Sequence, residues 1–173
     1  MIILHVITSL NIGGAEVLVK DLAILGKESG NQVEVITFVK ATTYLSKELI
    51  HAGVRIIASP YNKNYSPLNV MFLRKHLKQN KYHVIHAHLI APQLWLAIVN
   101  KLFNNPLPLI TTEHNTYNRR RKLIFKLIDK WMYQQYQKVI CITDAVYHAL
   151  VSWVSNVQSK CMVVHNGIRL EKF

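Results

Sequence analysis

MIILHVITSLNIGGAEVLVKDLA, residues 1–23, holds the decision about the fold. An apolar, β-branched run reaches Thr8, breaks at Asn11, turns through Gly13 and Gly14, and resumes with helical spacing. In the resumed part Ala15, Leu18, Val19, Leu22 and Ala23 share one face of a wheel, with Lys20, Asp21 and Lys27 elsewhere. The first run reads as a strand and the second as an amphipathic helix. A strand that passes through a glycine turn into a helix is how α/β proteins present backbone N–H groups to a phosphate. A glycine pair can equally be no more than a tight turn, so the rest of the chain has to decide its meaning.

Outward from this unit the alternation repeats. Strand patterns occur at 2–8, 32–39, 54–58, 83–87, 109–112, 138–142 and 162–165. Helical patterns lie between them, at 43–52, 67–79, 92–103, 120–135 and 144–155. Strictly alternating strand and helix predicts an α/β fold, a Rossmann-like doubly wound parallel sheet of about seven strands with helices on both faces. Right-handed crossovers with an early reversal predict the order 3-2-1-4-5-6, with the first and fourth strands adjacent at the switch point. Residues 62–67 read as a polar loop and nothing more. The final HNGIRLEKF (165–173) follows a strand and turns at Asn-Gly without starting another helix. The expected organisation is therefore one domain at 1–165, with 166–173 opening a linker toward a second domain.

Composition excludes several classes. Of 173 residues, 50% are hydrophobic and 17% charged, with six glycines and five prolines, which rules out disordered and collagen-like chains. The longest nearly apolar stretch, 89–99, is too short to span a bilayer and contains Pro92 and Gln93. The N-terminus lacks a basic lead and a small-residue cleavage site, so the expected location is the cytoplasm. Cys141 and Cys161 sit in or beside apolar runs, outside any metal or redox spacing, and read as reduced core residues. The formal charge of +12 favours anionic partners: nucleic acid, anionic lipid, or a phosphate-bearing substrate.

In a doubly wound sheet ligands bind beyond the carboxyl ends of the strands. Those ends carry residues 9–14, His86 and His88, Glu113, His114 and Asn115, and Thr143 with Asp144. The turn reads N-I-G-G-A-E, so both the dinucleotide G-x-G-x-x-G and the Lys-Ser/Thr of a P-loop are absent. His86, His88 and His114 raise a metal reading, but no carboxylate or thiolate stands at ligand spacing beside them, and no metal is expected. His114, in a polar T-T-E-H-N run after an apolar strand, can hydrogen-bond a ligand hydroxyl or carbonyl, or cap the next helix. Thr143 and Asp144 are good N-cap residues. Positive charge is densest at Arg119, Arg120, Arg121 and Lys122, followed by Lys126 and Lys130. The helix there is expected to turn Leu123, Ile124, Leu127, Ile128, Trp131 and Met132 toward the core. Its opposite face, Lys122, Lys126, Lys130 and Tyr133, would then lie against anionic lipid head groups or a phosphorylated acceptor. No helix-turn-helix, zinc-finger, RRM or KH signature supports nucleic acid as the partner.

GGAE (13–16), HVIHAH (83–88), TTEHN (111–115), ITDAV (142–146) and HNGI (165–168), in this order, resemble the N-terminal domain of family 4 (group 1) glycosyltransferases of the GT-B type. The resemblance spans essentially the whole chain. It implies the first half of a two-domain transferase, holding mainly the acceptor, with the nucleotide-sugar on the other domain and the cleft between them. It also implies that Gly13 and Gly14 approach the donor diphosphate, that His114 contacts the donor sugar, and that His88 and Thr143 belong to the substrate rim. The configuration would be retained and no metal or other cofactor needed; the acceptor would be a glycan or lipid-linked molecule of cell-surface polysaccharide or glycoconjugate synthesis. Arg119, Arg120, Arg121, Lys122 and Lys126 would hold the enzyme at the inner face of the cell membrane. The family's donor-side glutamates, eight positions apart, have no counterpart: Ile24 follows Glu16 at that spacing and Arg121 follows Glu113. Arg169 also stands where an acidic residue is usual after N-G-I. A non-catalytic Rossmann-like module for sugar or nucleotide is the alternative.

Overall fold

The structure is a computed structural model and describes residues 1–104, 106–116 and 123–165. Its strands are β1 (Ile2–Ile7), β2 (Gln32–Thr37), β3 (Arg55–Ala58), β4 (Val84–His88), β5 (Leu109–Glu113), β6 (Lys138–Cys141) and β7 (Cys161–Val163). The helices are α1 (Gly14–Glu28), α2 (Tyr44–His51), α3 (Leu68–Gln79), α4 (Ile90–Asn100), α5 (Leu123–Gln134) and α6 (Asp144–Trp153), and a 3-10 segment at Ser155–Lys160 precedes β7. All strand pairs are parallel, in the order β3-β2-β1-β4-β5-β6-β7. This is the expected order with β7 added at the edge. β1 and β4 pair with Ile3 opposite Val84 and His5 opposite His86, which fixes the switch point.

Alternate residues of each strand enter two separate cores. On one side, Ile7, Val33 and Val35 pack with Ala15, Val19 and Ala23 of α1 and Leu49 of α2. On the other, Leu4, Val6, Ile85, Ala87, Leu109 and Val139 pack with α3, α4, α5 and α6. Helices thus cover both faces, unequally: beside α1, on the side that α1 covers, Ile3, Val84, Ile110 and Ile140 line a cavity of about 470 Å³. Helix α4 starts at Ile90, two residues before the expected Pro92, because a proline within the first turn gives up an N–H that has no intrahelical partner there. Lys20 lies 2% exposed, its ammonium 2.7 Å from Asp21 and 3.1 Å from Glu48, so it clamps α1 to α2.

Helix α5 corrects one expectation. Ile124 and Leu127 are 77% exposed and Ile128 43%, whereas Asp129, Met132, Tyr133 and Tyr136 are buried. The wheel assigned faces by hydropathy alone, but the buried face is the one whose polar tips find partners. Asp129 accepts from Trp153 Nε1 at 2.8 Å, Tyr133 donates to Glu113 at 2.6 Å, and Tyr136 donates to the Gln93 carbonyl at 2.7 Å. Met132 reaches the core as expected, and Tyr133 does so instead of joining the lysines. Arg119, Arg120, Arg121 and Lys122 lie outside the described residues, as does the 166–173 linker with Arg169.

The turn after α2 needs glycine. Gly53 takes φ +72°, a left-handed conformation that costs other residues roughly 1–2 kcal/mol. Gly53→Ala is therefore expected to lower unfolding stability by about 1 kcal/mol, read as a shift in the urea midpoint at unchanged slope; an unshifted midpoint would show that the turn relaxes at no cost.

Candidate functional site at the carboxyl rim

The glycine turn sits at the carboxyl end of β1. Gly13 is the N-cap of α1, with φ −167° and ψ 165°, an extended conformation open to any residue. A Cβ on Gly14 would meet nothing within 4 Å, and one on Gly13 would meet only the Glu16 carboxylate, the far end of a flexible side chain. The fold itself demands glycine at neither position. The pair puts no side chain of its own before the N–H groups at the start of a 15-residue helix, and the flexible Glu16 carboxylate lies against Gly13, an anion where the helix dipole favours one.

Beside the turn lies a layer of histidines. The alternation of β4 puts His86 and His88 on one face, and the β1–β4 register adds His5. His5 Nδ1 and His88 Nε2 are 3.1 Å apart, and His86 Nε2 is 2.7 Å from Thr112 Oγ1. The rings of His86 and His88 are 4.0 Å apart, and that of His114 follows at 5.9 Å from His88. Burial holds the His5 pKa down at about 4, and His86 and His88 lie well below the usual value through burial reinforced by their histidine neighbours. The layer is neutral at physiological pH. Ring nitrogens of His5, His86 and His88 all lie within 4.8 Å of one another, a spacing a metal ion could bridge. The group contains no carboxylate or thiolate to offset a buried dication, and the hydrogen bonds to one another and to Thr112 already occupy a nitrogen of each ring. His88 is fully buried, so it backs His114 from below the surface.

His114 emerges from β5 into a cavity of about 400 Å³, shared with Thr8, Asn64, Tyr65, Leu89 and Gln93. Burial lowers its pKa to about 4, so it enters as a neutral imidazole, and its Nε2 is buried without a hydrogen-bond partner. The ground beneath it is rigid: Glu113 Oε1 accepts from Gln93 Nε2 and from the Tyr133 hydroxyl, each at 2.6 Å, and Gln93 Nε2 also reaches Thr111 Oγ1 at 2.9 Å. These bonds tie the end of β5 to α4 and α5. Leu89, between His88 and α4, takes φ +67° and ψ 163°, a conformation that costs about 1–3 kcal/mol. Strain of this kind at a cavity wall marks a place where position is held at the expense of stability.

Thr143 does what its N-cap reading predicts: its hydroxyl oxygen accepts from Val146 N at 3.2 Å. Lys126 stands over the ring of Trp153 from α6, its ammonium 5.4 Å from the ring centre. The polar loop 62–67 contributes more than expected, since Asn64 and Tyr65 line the cavity. His5, Gln93 and the role of Glu113 also escaped the sequence. His5 was findable, because once β1 and β4 are neighbours its place opposite His86 follows from parity.

A parallel sheet of this order defines a Rossmann-like domain, and the polar groups at the β1, β4 and β5 ends lie where ligands bind in such folds. Residues 12–172 match the sequence pattern of Glycosyltransferase Family 4, and the chain belongs to that family. Several solved structures share the fold, among them three glycosyltransferase-related ones. HepE of Anabaena, in complex with UDP and glucose, superposes with TM-score 0.78 at 18% identity over 99% of this chain and 46% of its own. A glycosyltransferase of Rickettsia africae gives 0.75 at 21% identity, covering 98% and 44%. The lipopolysaccharide outer core galactosyltransferase WaaB, in its apo form, gives 0.71 at 14%, covering 98% and 47%. The chain thus spans a little under half the length of each. No curated protein sequence matches it.

The histidine layer makes stability depend on pH in a fixed direction. His5, His86 and His88 bind protons less readily folded than unfolded, so stability is complete above the ordinary value of about 6.5 and falls as pH drops from there toward 4. Each histidine contributes at most about 1.4 kcal/mol per pH unit. Urea unfolding at pH 7, 6 and 5 is expected to show this loss, with a shallower dependence in His5→Gln. An identical slope in that variant would remove His5 from the account.

Proposed function

We propose that this chain is the N-terminal, acceptor-side domain of a retaining glycosyltransferase that moves a sugar from a nucleotide-diphosphate sugar to a glycan or lipid-linked acceptor. The observation that carries the reading is the glycine pair, which the backbone does not require and which leaves room at the α1 N-terminus, beside His114's rim, that only the flexible Glu16 carboxylate enters. In the reaction the bond from the anomeric carbon to the diphosphate oxygen breaks and a bond to the acceptor hydroxyl oxygen forms. The acceptor proton passes to the departing phosphate. Charge gathers on that phosphate, and N–H groups fixed at Gly13 and Gly14 stabilise it without reorganising. His114, neutral and with a free ring nitrogen, orients the transferred sugar by a hydrogen bond and never becomes a nucleophile. UDP and glucose bound to HepE support a nucleotide-sugar donor. The second domain supplies the rest of the donor site, so residues 1–173 alone turn over little or nothing.

The outer side of α5 supports a surface role. Ile124, Leu127 and Ile128 are exposed, Lys130 is exposed on the same helix, and Lys126 stands beside them over Trp153, in a chain of net charge +12. Apolar side chains interleaved with lysines suit the boundary between anionic head groups and acyl chains. This reading places a cytoplasmic enzyme peripherally on the inner face of the membrane, where lipid-linked acceptors are built.

In the full-length enzyme, His114→Ala is expected to lower kcat by more than about tenfold with the fold intact. Gly14→Ala is expected to weaken nucleotide-sugar binding by about tenfold without lowering Tm, since alanine suits a helix better than glycine. Wild-type kinetics in both variants would remove His114 and Gly14 from the site, and absence of turnover by the full-length protein with any nucleotide-sugar would favour a non-catalytic binding module. Co-sedimentation with phosphatidylglycerol vesicles, lost in Leu127→Glu and weak with phosphatidylcholine alone, is the outcome expected of α5. Equal binding by the variant would take α5 off the membrane.

A further inference from the structure

We infer that Asn64 and Tyr65 form the seat of the acceptor's terminal sugar, so that the acceptor is recognised as a pyranose ring and not only through a lipid or phosphate group. The inference rests on the transferase reading for its biological meaning, and on the cavity for its physical basis.

Two polar groups in the cavity are buried without hydrogen-bond partners: Asn64 Oδ1 and His114 Nε2. They come from different loops, one after β3 and one after β5; with His114 Nε2 engaged by the transferred sugar, Asn64 Oδ1 is the group left to take a hydroxyl of the acceptor. A buried orphan amide costs about 1–3 kcal/mol, so a partner is expected for it. Tyr65, 63% exposed, is the aromatic side chain of the same cavity. An exposed aromatic ring offers a flat apolar face at low entropic cost, matched to the C–H face of a sugar.

The loop carrying these groups is built to stay in place. The Asn64 carbonyl accepts from Trp95 Nε1 at 2.7 Å, and Asn69 Nδ2 donates to the Lys63 carbonyl at 2.8 Å. Asn69 is itself held by the Ser59 hydroxyl at 2.7 Å, and both of these side chains are fully buried. Fixing a loop through buried polar groups while leaving its tyrosine in solvent and its amide unsatisfied makes sense if the loop receives a ligand. Because His114 lines the same cavity, a sugar seated here lies beside the imidazole that the transfer reaction uses.

Saturation-transfer difference NMR on the purified protein, titrated with the methyl glycosides of glucose, galactose, mannose and N-acetylglucosamine, tests the seat. Ring-proton signals for at least one glycoside are expected. Its affinity is expected to fall by roughly tenfold, the equivalent of about 1.4 kcal/mol, in both Tyr65→Ala and Asn64→Ala. Tyr65→Phe should bind nearly as wild type, because the ring and not the hydroxyl is used. No signal from any of the four, or affinities unchanged in both alanine variants, would overturn the inference. The transferase reading is scored separately in the full-length enzyme. Tyr65→Ala there should raise the acceptor KM by a larger factor than it lowers kcat; a fall in kcat at unchanged acceptor KM would overturn the seat. Sugar binding that depends on Tyr65 in a protein without transferase activity would sink the transferase reading and keep the seat.

Discussion

Parallel pairing between β1 and β4 is the constraint on which the molecule depends. It joins the two halves of the sheet where the chain reverses, and it leaves a crevice at the carboxyl ends that no crossover helix fills. Every group of the candidate site is placed by that junction. The glycine turn leaves β1, His86 and His88 end β4, and His114 leaves the strand next to it. The register, with His5 opposite His86, also stacks the histidines into one neutral layer under the rim. Nothing in the layer carries charge near neutral pH, so the electrostatics above it come from the α1 terminus and the Glu16 and Glu113 carboxylates.

Glu113 explains how a loop residue such as His114 can be held to within the tolerance chemistry needs. Its carboxylate is buried, and buried carboxylates persist only when hydrogen-bonded. Here the partners come from α4 and α5, so the tip of β5 is braced by two helices that are themselves packed in the larger core. The strained backbone at Leu89, one strand away, is packed against the other core, the one on the α1 side of the sheet. The rim is thus stiff where the imidazole leaves the sheet.

Much of this was legible in residue order alone. The alternation of runs fixed seven strands, the β3-β2-β1-β4 order and the rim on which Gly13, Gly14 and His114 lie. The glycine turn was ambiguous until its backbone angles were known, because a glycine retained for geometry and one retained for ligand access look the same in sequence. Helix α5 was misread for a definable reason: hydropathy ranks Ile124 and Leu127 above Tyr133 and Asp129, but a buried tyrosine hydroxyl or aspartate is favourable once Glu113 or Trp153 supplies the hydrogen bond. The loop 62–67 was passed over because polarity and lack of period describe most loops. What sets it apart is Asn69 reaching back to it from α3 and Trp95 from α4, contacts between residues far apart in sequence. Those are properties of packing, invisible to a periodicity count.

The two ends of the sheet carry one more consequence. Its edges are β3, of four residues, and β7, of three. Long bare edges are templates on which foreign strands assemble, and brevity is one of the ways proteins deny them a foothold. This chain already shows solvent the apolar outer side of α5 and the open cavity beside α1, surfaces that invite association. Edges this short offer a foreign strand little to pair with, so contacts made through those surfaces have no ladder to extend.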